Sequence, residues 1–75
     1  MTEKNRELNR MLIRLLDGLG QDRVQIMTIM AIITAYHLQE RLMDWIATFS
    51  GKEDTLTIQA FMSKLNELTG TTETE

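Results

Sequence analysis

Apolar residues recur every three or four positions through most of this chain, the spacing that an amphipathic α-helix produces. In the first segment they lie opposite an arc of charged side chains. Gly18 and Gly20 come next, and glycine readily takes the left-handed conformation that ends many helices. The pattern therefore predicts a first helix over residues 3–17. Its apolar positions are Leu8, Met11, Leu12, Leu15, Leu16 and Leu19.

The middle of the chain predicts one long helix over residues 23–49. Asp22 is a favourable N-cap residue, and Gln25 follows it at the spacing of a capping box. No glycine or proline occurs between Gly20 and Gly51. A single apolar stripe keeps its helical phase over this stretch, which at 1.5 Å per residue corresponds to about 40 Å. The stripe contains Val24, Met27, Ala31, Ala35, Leu38, Leu42, Trp45, Ile46 and Phe49.

The last helix is predicted over residues 58–69. Thr57 suits its N-cap, and Gly70 stands where a C-terminal cap glycine belongs. A short loop precedes it, so this helix should fold back antiparallel on the central one, with Trp45 as the anchor between them. We expect one domain over residues 1–70, an all-α antiparallel arrangement of three helices. Residues 71–75 are expected to form a disordered acidic tail.

A second apolar face on the first half of the central helix changes this picture. It lies roughly opposite the long stripe, and two short flanking helices would struggle to cover both faces. We therefore expect a homodimer, a dimeric helical bundle in which these second faces meet. Two alternatives stay open: a monomeric bundle whose outer helices splay to both sides, and burial against a different protein. The predicted interface residues are Ile26, Ile29, Met30, Ile33, Tyr36 and His37.

The composition favours a chain that is stabilised by association with another chain. With 75 residues there is room for one small domain, and such domains usually need a disulfide, a metal or a partner for stability. The chain has no cysteine and one histidine, which excludes disulfides and disfavours a structural zinc site. The N-terminal segment lacks the apolar core of a signal peptide, and the longest apolar run, 24–38, is too short to span a membrane. We expect a cytoplasmic protein without a membrane segment.

Charge argues against nucleic acid as the main partner. The net charge is −3, so the chain has no general basic surface for phosphates. Arg6, Arg10 and Arg14 share one face of the first helix, but acidic residues interleave them at pairing distance. A solvated face is the favoured interpretation. A small dimeric DNA-associated regulator using this arginine face is the alternative function.

Candidate chemistry is sparse. His37 and Glu40 are spaced to share a helix face, but no other histidine or cysteine could complete a metal site. Neither a glycine-rich phosphate loop nor an activated nucleophile is visible. We therefore predict no enzymatic activity, no cofactor and no metal. The sequence predicts a self-associating interaction module, a small adaptor or regulator, with Ile13 and Met43 as possible secondary contacts to a partner.

Overall fold

Every regular element in the computed structural model, which describes residues 3–70, is helical. The all-α prediction is confirmed, but the described residues form four α-helices where three were predicted. The α-helices are α1 (Glu3–Gly18), α2 (Arg23–Ala35), α3 (Gln39–Ala47) and α4 (Ile58–Thr69), and a 3₁₀ turn covers Glu53–Thr55. The predicted acidic tail at 71–75 lies outside the described residues.

The predicted helix caps are present. The Asp22 carboxylate accepts a hydrogen bond from the Gln25 backbone N–H at 2.8 Å and begins α2. The Thr57 hydroxyl accepts one from the Ala60 N–H at 3.1 Å and begins α4. Gly70 ends α4 in the left-handed conformation, with φ of 76°. These short-range signals were readable because each cap depends on residues within one helical turn.

The prediction of one continuous helix over residues 23–49 is wrong. α2 ends at Ala35, and α3 begins at Gln39. Between them His37 has a φ of 55°, in the left-handed region. The Leu38 N–H donates to the Ile33 carbonyl at 3.0 Å, and the His37 N–H donates to the Thr34 carbonyl at 3.2 Å. This pair of hydrogen bonds defines a Schellman motif, in which histidine occupies the position that glycine usually takes.

The break allows both halves of the predicted helix to bury an apolar face. In an unbroken helix Ile33 and Leu38 would point about 140° apart, because five residues separate them at 100° each. Here both are almost fully buried. The turn therefore brings two differently oriented faces into one core. Its buried members are Leu12, Leu16, Ile29, Met30, Ile33, Leu38, Leu42, Phe61 and Leu65.

α1, α2 and α3 run up, down and up. The four-residue connection after Gly18 reverses the chain between α1 and α2. α3 then returns beside α1. The Lys4 ammonium, near the start of α1, lies 2.7 Å from the Glu40 carboxylate, near the start of α3. The hydrogen bond to Glu40 raises the pKa of Lys4. Both side chains are exposed, so solvent screens this pair and apolar contacts must supply most of the packing energy.

α4 packs across the other side of α2 and against α3. The Trp45 ring stands 6.3 Å from the Phe61 ring in an edge-on arrangement. This contact agrees with the predicted role of Trp45 as an anchor to the last helix. Further along, Met62 and Leu65 of α4 share a cleft with Ile32 of α2. Phe61 and Leu65 of α4 belong to the same buried core as Ile33 and Leu42.

Replacing His37 with glycine tests the turn. A left-handed conformation costs an L-residue roughly 1–2 kcal/mol, and glycine avoids this cost. Glycine also loses more backbone entropy on folding than histidine does, which offsets part of the stabilisation. We expect His37→Gly to raise the free energy of unfolding by about 0.5–1 kcal/mol in urea titrations. Ala31→Gly, inside α2, is the matched control and should lower it by about 1 kcal/mol. A loss of stability in His37→Gly equal to that in the control would indicate a continuous helix.

Candidate interaction surface

The predicted interface residues divide between the core and the surface. Ile29 and Ile33 are 3% and 0% exposed, and Met30 is buried beside them. Ile26 is partly buried against the same core. The expectation that this face of α2 is left uncovered within one chain is therefore wrong. The physical reason is the turn at residues 36–38, because a straight helix would have kept this face and that of Leu42 on different sides.

Tyr36 and His37 are exposed, in contrast to the isoleucines predicted to lie beside them. Tyr36 is 52% exposed and lines the cleft between α2 and α4 together with Met62. His37 lies in the turn, where its backbone makes the Schellman hydrogen bond to Thr34. The structure thus separates the six predicted interface residues into core residues and turn residues.

The opposite face of α2 is the one that solvent reaches. Val24 and Met27, which the long stripe assigned to the core, are 72% and 66% exposed. Thr28, Ala31 and Ala35 lie on the same side and are also exposed. We call these five residues the outer face of α2. Helical spacing places them opposite Ile29 and Ile33, so this face lies on the far side of the helix from the core.

The outer face of α2 carries no charge. From Val24 to Gln39 the chain has no Asp, Glu, Lys or Arg, although these residues make up a quarter of the whole chain. A solvated helix normally presents charged or strongly polar residues opposite its buried face. α2 instead has apolar and small uncharged side chains on both sides. Within residues 3–70, the other helices cover only the isoleucine side of α2.

The side chains of the outer face of α2 have little need of hydrogen bonds to water. The Thr28 hydroxyl donates to the Val24 carbonyl within the helix at 2.9 Å. The threonine therefore presents mainly its methyl group outward. Val24, Met27 and the two alanines have no polar side-chain atoms at all. The face can accordingly be dehydrated without breaking side-chain hydrogen bonds to solvent.

The two predicted secondary contacts lie in different grooves. Ile13 is 43% exposed and lines a groove of about 270 Å³ with Ile26, between α1 and α2. Met43 lines a more apolar groove of about 430 Å³ with Met11 and Ile46, between α1 and α3. Arg14 lines both grooves. The structure therefore does not unite Ile13 and Met43 in one surface.

The arginine face of α1 is exposed, as its spacing suggested. Arg6, Arg10 and Arg14 are all solvent-accessible. The Arg10 guanidinium lies 3.4 Å from the Glu7 carboxylate, one of the local pairs that the sequence indicated. Such an exposed pair contributes little to stability. The DNA-associated alternative stays a prediction.

No metal-binding cluster emerges from the described part of the chain. Within residues 3–70, no three or more His, Asp or Glu side chains come close enough together to hold a metal ion. The turn after Ala35 also removes the helical register that would have set His37 and Glu40 on one face. The described residues accordingly define a helical fold whose most distinctive surface is an uncharged one.

Comparison of this chain with family models, with curated proteins and with solved structures found no match. None of the helices within residues 3–70 combines the length and the apolar character that a bilayer crossing requires.

One signal for the outer face was present in the sequence. The charge-free run from Val24 to Gln39 is visible without a structure, and so is the contrast between bulky isoleucines on one side and alanines on the other. Large β-branched residues fill a core, while alanine contributes little to one. Weighing residue size, in addition to apolar periodicity, would have assigned the isoleucine face to the core.

Two truncations test which face of α2 is buried. Ile33→Ala should lower the free energy of unfolding by about 2–4 kcal/mol, because it removes buried methyl groups and leaves a cavity. Val24→Ala, on the outer face, should change it by no more than about 0.5 kcal/mol at low micromolar protein concentration. Urea titrations followed by circular dichroism measure both. A larger loss for Val24→Ala than for Ile33→Ala would reverse the assignment of the faces.

Proposed function

We propose that this protein is a non-catalytic, self-associating interaction module whose binding face is the outer face of α2. The observation that carries the proposal is the exposure of Val24 and Met27 on a helix without charged residues along that face. Exposed apolar surface of this kind is typical of protein–protein contacts. In the cell such a module would act as a small adaptor or regulator.

The uncharged character of the face favours a second copy as its occupant. Two identical chains of net charge −3 repel one another wherever acidic surfaces meet. The outer face of α2 avoids this repulsion, because neither copy places a charge there. A two-fold dimer also requires one patch to complement itself, and a neutral patch meets the electrostatic part of that requirement.

The size of the face sets the expected affinity. α2 has 13 residues, so the face is about 20 Å long and about 10 Å wide. Such a contact buries less than the roughly 1,200 Å² that marks the lower end of stable interfaces. The isoleucine core is complete within one chain, so folding does not require a partner. We therefore expect a concentration-dependent dimer in equilibrium with a folded monomer.

A charge placed on the outer face should abolish self-association. The wild-type mass in light scattering should rise from 8.7 kDa towards twice that value as the concentration approaches about 1 mM. A Met27→Glu dimer would have to bury a carboxylate in the proposed contact, which is unfavourable. This variant should therefore keep the mass of one chain at all concentrations. Its far-UV circular dichroism should match the wild type, because Met27 lies outside the core.

Ser63→Glu is the matched control. It adds the same negative charge at an exposed position in the middle of α4, so it should self-associate like the wild type. A wild-type mass that stays at one chain over the whole range would refute the proposed function. Equal association of Met27→Glu and the wild type would place the contact elsewhere.

A further inference from the structure

Side-chain size changes systematically along the outer face of α2. The two large residues, Val24 and Met27, occupy the N-terminal half. The two alanines, Ala31 and Ala35, occupy the C-terminal half, with Thr28 between the pairs. All five are exposed. The face is therefore raised at one end and flat at the other.

This gradient distinguishes the two ways in which a second copy could pack. In a parallel dimer Val24 would meet Val24, and Ala35 would meet Ala35. The large residues would then hold the helices apart and leave an unfilled gap between the alanines, which loses packing contacts. In an antiparallel dimer each large end meets a flat end. Only the antiparallel sense lets the two faces interdigitate along their whole length.

We infer that a second copy packs antiparallel on α2, with Val24 of each chain beside Ala35 of the other. The inference rests on the proposed self-association and adds its direction and register. In this register Thr28 of each chain faces Ala31 of the other, and the two-fold axis crosses the helices between the levels of Ile29 and Met30. Four of the five outer-face residues then meet an outer-face residue of the other chain, and Met27 lies at a level between Ala31 and Ala35 of that chain. The two α2 helices overlap almost completely.

The ends of α2 add an electrostatic argument for the same sense. Helix dipoles place partial positive charge at the N-terminus and partial negative charge at the C-terminus, so antiparallel neighbours attract each other. The last turn of α2 contains no basic residue. Antiparallel pairing brings Arg23, which forms no ion pair within residues 3–70, beside that turn in the second copy. A cation is favoured there, because it complements the partial negative charge at the C-terminus of the helix.

Single cysteines provide a direct test, because the chain has no cysteine of its own. Val24→Cys and Ala35→Cys are purified separately, mixed in equal amounts at a concentration where the wild type is dimeric, and oxidised gently. Their disulfide products differ in mass, so mass spectrometry counts mixed and like-with-like dimers. Both positions are exposed, so the variants should keep the wild-type fold.

The mixed disulfide should form in about fivefold excess or more over the two like-with-like products together. In the antiparallel register two Val24→Cys sites lie about 17 Å apart along the helix axis, far beyond the reach of a disulfide. Ser63→Cys mixed with Val24→Cys is the control for random collision and should give no such excess.

The outcomes separate this inference from the proposed function. An excess of like-with-like disulfides, or a purely statistical mixture, in a protein whose mass is that of a dimer would overturn the antiparallel register. Self-association itself would stand in that case. A wild-type mass of one chain, with cross-linking no greater than in the Ser63→Cys control, would overturn both.

Discussion

The hydrogen bond from the Leu38 N–H to the Ile33 carbonyl is the contact on which the rest of this structure depends. It closes a Schellman motif around His37 and turns the chain between α2 and α3. The two residues that it joins are both buried in the same core. The motif therefore combines a backbone hydrogen bond with apolar burial, which explains how a histidine is held at a φ of 55°.

The turn also determines which surface is left for a partner. Once α3 folds back, the isoleucine face of α2 lies against α1, α3 and α4, while Val24 and Met27 face outward. A straight helix would have exposed part of each face instead. The proposed interface thus follows from the core: Ile29 and Ile33 are buried inside, while Val24, Met27 and the small uncharged side chains of the outer face stay exposed.

Local features of this fold were predictable, and the change of direction was not. Asp22, Thr57 and Gly70 act within one helical turn, so their roles could be inferred from neighbouring residues. His37 gives no comparable signal, because a residue other than glycine is uncommon in the left-handed region and no glycine or proline stands beside it. Apolar periodicity gave the wrong buried face for a related reason. Both apolar faces of α2 have helical spacing, so periodicity cannot tell which of them is buried in the core.

The sequence by itself determined that the chain is helical, where most helices begin and end, and that α2 has apolar residues on opposite sides. These properties follow from contacts between residues a few positions apart. Only the tertiary structure decided which side of α2 is buried, and with it which residues remain for an interaction. That choice depends on how Leu12, Leu42 and Phe61, distant in sequence, pack together around Ile33, because burial is settled by the whole core at once.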